Sequence, residues 1–174
     1  MRLAALAAIV ITVAGCGGGG DSPPPRGAAS SPATLARQSN LILGGGKEAF
    51  SRQVEALHGH PVVVNKWASW CGPCRFEFPF FQRLAKKYGR SIAFLGVDSR
   101  DAKDEAERFL EKFPVPYPSF YDRKGDVART FRGDRAFPTT AFYNRKGQLA
   151  FTKQGGYASQ AALAKDIRQY ALKG

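Results

Sequence analysis

Trp70-Cys71-Gly72-Pro73-Cys74 is the stretch of this chain whose residue types and spacing can do chemistry. Two thiols spaced C-x-x-C suit thiol–disulfide exchange when the first lies at a strand-to-helix junction. The amide groups and positive dipole of a helix start favour thiolate over thiol, which makes Cys71 the nucleophile. Cys74 lies one helical turn inward, within reach of a mixed disulfide formed at Cys71. Zinc ribbons use the same spacing, but a structural zinc site takes four ligands. The chain has no second cysteine pair, and its two histidines, His58 and His60, stand together in a Gly/Pro-flanked turn. No metal and no cofactor beyond the Cys71–Cys74 pair is therefore expected.

The elements around the pair follow from periodicity. Val62-Val63-Val64 heads an apolar run from Pro61 to Trp67 that reads as a buried strand. After Cys71, a helical stripe carries Cys74, Phe78, Phe81, Ala85 and Tyr88, with Pro79 inside it as a source of kinking. Phe76 and Phe80 lie on another face and are expected to pack in the core. Ile92 to Val97 reads as a second buried strand. Asp101 to Phe113 reads as a helix with Ser99 or Asp101 as its cap. An earlier helix is expected over Lys47–Leu57 and a last one from Ser159. The turns Asp122–Gly125 and Asn144–Gly147 each end in glycine, and the second joins Thr139–Tyr143 to Gln148–Thr152 as a hairpin. The class is thus α/β: a parallel βαβ unit, a C-terminal β-hairpin and helix, and a central mixed sheet flanked by helices.

The amino-terminal stretch differs in kind. Met1-Arg2 and the apolar run Leu3–Val13 form a charged and then an apolar region too short to span a bilayer, the pattern of a signal peptide over residues 1–15. Residues 16–40 are rich in Gly, Pro, Ser and Ala and read as a disordered tether. The folded domain is expected over residues 41–174. A net charge of +12 invites a nucleic-acid reading. The basic residues are spread along the chain and no nucleic-acid signature accompanies them, so an anionic lipid surface, an acidic partner protein or a solvated surface with no specific partner fits better.

The segment from Val62 to Pro79 resembles the thioredoxin superfamily, and within it the TlpA/ResA-type branch of membrane-tethered, extracytoplasmic thiol–disulfide oxidoreductases. Phe137-Pro138-Thr139-Thr140 is similar to the cis-proline segment of that superfamily. The resemblance covers about residues 40 to 174 and implies a thioredoxin-like α/β sandwich. It also implies a cis bond before Pro138 facing the two cysteines, with Trp70, Pro73, Phe137 and Pro138 guiding the substrate chain. Val13-Ala14-Gly15-Cys16 looks like a bacterial lipobox, which implies cleavage before Cys16, lipid on that residue, and a place on the extracytoplasmic face of the cell membrane. Asn65 stands where thioredoxins usually bury a proton-accepting aspartate, and Asn cannot take that role. TlpA/ResA-type proteins carry a glutamate where Glu77 stands, so Glu77 is expected to tune the dithiol. Lys66, a charge in a buried strand, is expected to reach Glu77 or the Cys71 region and favour thiolate.

The function this implies is disulfide exchange with cysteine-containing exported proteins or an apocytochrome, as a reductant supplied by a membrane thiol electron donor. The chain would act as a monomer. An oxidant or isomerase, a thiol peroxidase, a copper carrier and a non-enzymatic partner-binding lipoprotein are the alternatives.

Overall fold

A computed structural model describes residues 31–173. The signal-peptide segment, Cys16 and most of the tether lie outside these residues. Ser31–Asn40, which composition assigns to the tether, are folded. Ser31 caps a short helix α1 (Pro32–Ala36), and Leu35 is 2% exposed. Asn40 stitches this segment down: its side-chain amide donates to the Leu110 carbonyl and its oxygen accepts from the Val115 amide, both at 3.1 Å. Order therefore extends into residues 31–40, because one buried leucine and one asparagine hold a stretch whose composition otherwise favours disorder.

The elements that follow are β1 (Ile42–Leu43), α2 (Gly46–Ala56), β2 (Val62–Trp67), α3 (Gly72–Tyr88), β3 (Ala93–Ser99) and α4 (Lys103–Lys112). The chain ends with β4 (Ser119–Asp122), α5 (Asp126–Thr130), β5 (Thr139–Tyr143), β6 (Leu149–Gln154) and α6 (Gln160–Asp166), which continues as a π-helical turn over Ile167–Leu172. The six strands form one sheet in the order β1-β4-β3-β2-β5-β6. The first four are mutually parallel, and β5 and β6 join antiparallel as the hairpin. This is the mixed sheet of a thioredoxin-like α/β fold.

Both faces of the sheet are covered, so β2 and β3 are buried at every position. On one face Val63, Trp67, Phe78, Phe81, Phe109 and Phe142 pack into a core with α3, α4 and α6. On the other, Val62, Val64, Leu95, Phe50, Val54 and Phe131 pack beneath α2 and α5. Strand alternation thus sends Asn65 toward α3 and Lys66 away from it.

α3 begins where the backbone of Cys71 is still extended, and the Cys71 sulfur accepts the Cys74 amide at 3.1 Å. Pro73 occupies the first turn, where its missing N–H costs nothing. Lys86 and Lys87 complement the dipole in the last turn. The helix runs on through Pro79. Phe76 does not join the core: it is 61% exposed, edge-on to the half-buried Phe80 at 5.4 Å, because the buried stripe is already filled by Phe78 and Phe81. α4 starts after Ala102, which offers no side-chain cap. Ser99 and Asp101 do not fill that place, since each is committed elsewhere. The Ser99 hydroxyl donates to Asp122 at 3.0 Å, and Asp101 holds Ser69. Asp122 also accepts the Val127 and Ala128 amides at 3.0 Å, which nucleates α5 after the left-handed Gly125.

Candidate active site

Cys71 and Cys74 form a disulfide across the first turn of α3, with Cα atoms 5.2 Å apart. Cys71 is 3% exposed and Cys74 is fully buried. The neighbouring Trp70 is 58% exposed, with its indole N–H donating to the Arg100 carbonyl at 3.1 Å. Its ring lies 4.7 Å from that of Phe137, the residue before Pro138. The Phe137–Pro138 bond is cis, and the Pro138 carbonyl accepts the Gly155 amide at 2.9 Å. Pro138 leads into β5, an interior strand that pairs with β2, so the proline is tolerated through its place beside the site. Trp70 and Phe137 together bring the cysteine turn and the cis-proline turn into one surface.

Glu77 sits one turn beyond Cys74, fully buried. Its Oε2 accepts the Tyr157 amide at 2.9 Å, while Oε1 has no hydrogen-bond partner among the described residues. Burial pushes the carboxyl up to about 7, against the opposing pull of that amide and the Lys153 ammonium. Lys153 is held nearby by the Gly155 and Gly156 carbonyls at 3.2 and 3.1 Å. Gly156 separates Glu77 from the proline: a methyl group there would lie 3.5 Å from the Pro138 ring and 3.6 Å from Oε2. Asn65 is buried on the same face of the sheet, with no hydrogen-bond partner for its amide among the described residues. Glu77, not Asn65, therefore offers a carboxyl that can gain and lose a proton near neutrality behind the disulfide.

Lys66 does not reach Glu77. It leaves β2 on the opposite face, where its ammonium donates to the Gly133 carbonyl at 2.6 Å and stands 3.5 Å from the centre of the Phe137 ring. Burial and the Arg100 charge lower its pKa to about 8, with Asp122 and Asp134 opposing.

Asp98 carries no expectation from the sequence, and Asp101 only that of a helix cap. Asp98 lies near the end of the buried strand β3, and burial with the Asp101 and Asp122 charges pushes it up to about 9. Both of its carboxyl oxygens are buried without a hydrogen-bond partner among the described residues, which favours the protonated form at neutral pH. Asp101 accepts from the Ser69 amide and, at 2.9 Å, from the Ser69 hydroxyl. Asp101 thereby fixes the residue that leads into Trp70. A carboxylate directly after the apolar run Ala93–Val97 was the available signal, as was a tyrosine after the Gly155-Gly156 pair.

A dithiol turn that closes over one helical step, joined to a cis-proline turn through Trp70 and Phe137 and backed by a carboxyl, defines a thiol–disulfide oxidoreductase of the thioredoxin fold. Residues 41–167 match the Redoxin family, and the chain belongs to it. Thioredoxin of Pongo abelii is 38% identical over 87 residues, 50% of this chain and 80% of that protein. The thiol-disulfide oxidoreductase ResA of Oceanobacillus iheyensis is 28% identical over 81 residues, 46% of this chain and 42% of that protein, so the match spans less than half of ResA. Among solved structures, dsbF from MTB superposes with a TM-score of 0.61 at 29% identity, covering 67% of this chain and 85% of that one.

Proposed function

We propose that this chain is an extracytoplasmic, membrane-anchored reductant of protein disulfides, held by lipid on Cys16. The observation that carries the reading is the Cys71–Cys74 disulfide at the amino end of α3, bordered by the Trp70–Phe137 surface and the cis-proline. The signal-like residues 1–15, the small residues before Cys16 and the resemblance to ResA support the placement at the membrane.

In the reduced enzyme the Cys71 thiolate attacks one sulfur of a partner disulfide. A Cys71–partner bond forms, the partner S–S bond breaks, and the departing thiolate takes up a proton. Cys74 then attacks the Cys71 sulfur, releasing the second partner thiol and closing the Cys71–Cys74 bond. Two electrons have passed to the partner, and a membrane dithiol donor returns them. Cys74 is buried, so its proton needs an internal acceptor; Glu77, one turn away and titrating near 7, takes it. Trp70, Pro73, Phe137 and Pro138 form the platform across which the partner chain lies. Exported cysteine-containing proteins or an apocytochrome are the partner class, and the enzyme acts as a monomer.

The test is the reduction potential of the pair in dithiol buffers. A value near the thioredoxin range of about −270 mV supports a reductant, and one near −120 mV overturns that direction in favour of disulfide formation.

A further inference from the structure

Lys66 takes no part in the exchange steps above, yet its position is unusual for a lysine. It is 1% exposed in the middle of the sheet, and it meets a carbonyl and an aromatic ring instead of a carboxylate. Burying an ammonium is unfavourable unless good partners compensate, and an apolar side chain would fill the same space without that penalty. What the ammonium adds is direction. Its two partners, Gly133 and Phe137, bracket the turn that delivers the cis Phe137–Pro138 bond. Phe137 is half-buried, and its ring lies against both the ammonium and Trp70. A continuous path of contact thus runs from the interior of β2 through Phe137 to the residue beside Cys71.

We propose that Lys66 is a positioning residue that clamps the Gly133–Phe137 turn from below and sets Phe137 against Trp70, shaping the platform for partner polypeptides. The proposal rests on the reading that partners lie across this platform. The clamp acts on binding and leaves the sulfur chemistry to Cys71, Cys74 and Glu77. Arginine is the conservative replacement, since a guanidinium can also donate to a carbonyl and lie on a ring.

The experiment uses the full-length protein, with insulin as the disulfide substrate and dithiothreitol as the electron source. Lys66→Met is expected to raise KM for insulin about fivefold, the scale of a lost cation–π contact, with kcat changed less than about twofold. Phe137→Leu is expected to give the same split, and the double variant no more than either alone. Lys66→Arg should recover most of the wild-type KM. An unchanged KM in Lys66→Met or Phe137→Leu, or a fall in kcat at constant KM, overturns the clamp. If Lys66→Met does not fold, as judged by circular dichroism, the Phe137→Leu and Lys66→Arg results decide. Hydrogen exchange across residues 133–137 reads the clamp without substrate: faster exchange in the lysine variants that lose it supports the proposal, and unchanged exchange overturns it. Wild-type protein that fails to reduce insulin would overturn the functional reading, and the exchange measurement would still judge the clamp.

Discussion

The Glu77 carboxyl accepts the Tyr157 amide at 2.9 Å, joining the helix that carries the cysteines to the turn after β6. That bond aims Oε2 away and leaves Oε1 without a partner among the described residues, one turn from Cys74. If Glu77 receives the Cys74 proton, Glu77→Gln keeps the Tyr157 bond and loses the base. The expected result is a fall in kcat at pH 7 on the order of 10- to 100-fold. The limb of the pH–rate profile near 7 should disappear with it. Stopped-flow measurement of mixed-disulfide resolution reads this directly; an unchanged profile removes Glu77 from the mechanism.

Two buried carboxyls also make stability depend on pH. A carboxyl whose folded pKa lies above its unfolded value binds more protons folded than unfolded between the two, so stability falls as pH rises through that window. For Glu77 the window runs from 4.5 to about 7, and for Asp98 from 3.8 to about 9. For Glu77 the full span is worth roughly 3 kcal/mol. Urea denaturation of the oxidised protein should show stability declining from pH 5 to 8. Glu77→Gln should flatten the lower part and Asp98→Asn the slope that persists to pH 9.

Cys71 at the amino end of α3 is the proposed first nucleophile, with Cys74 one turn further in. Cys74→Ser should accumulate a stable mixed disulfide between Cys71 and a partner protein, visible by mass spectrometry and released by dithiothreitol. Cys71→Ser should accumulate none, because Cys74 is fully buried. Partner captured by Cys71→Ser would reverse the assignment.

Asn40 satisfies the Val115 amide and the Leu110 carbonyl from outside the region that sequence composition marks as folded. Asn40→Ala leaves both groups without that partner and should cost about 2 kcal/mol in denaturant titration. A loss within experimental error would mean that residues 31–40 contribute little to the fold.

The cysteine turn, the buried stripe of α3 and the hairpin are legible in the sequence, since each depends on a short local pattern, whereas the cis bond before Pro138 rests on the resemblance, trans being the default for an X–Pro bond. A reach of Lys66 to Glu77 is ruled out by the period of two: Val63, Asn65 and Trp67 share one face of β2, and Val62, Val64 and Lys66 the other. Phe76 has the residue type of the core, but its position on the helix turns it to the exposed side. α5 escaped notice because its five residues have no periodicity, and its nucleus is Asp122 in the preceding strand. The Asp98–Asp101 pair and the Tyr157 contact exist only once the sheet has brought separate elements together.

The small helix α1 has a consequence for orientation. Pro32, Leu35 and Ala36 line one cavity with Ala85, Lys86, Gly89 and Arg90, at the carboxyl end of α3. From Cys74 to Gly89 that helix rises about 22 Å. Whatever is attached ahead of Ser31 therefore meets the molecule at the pole farthest along α3 from the sulfurs. The domain thus has a rear, where the described chain enters, and a front, where the sulfurs stand.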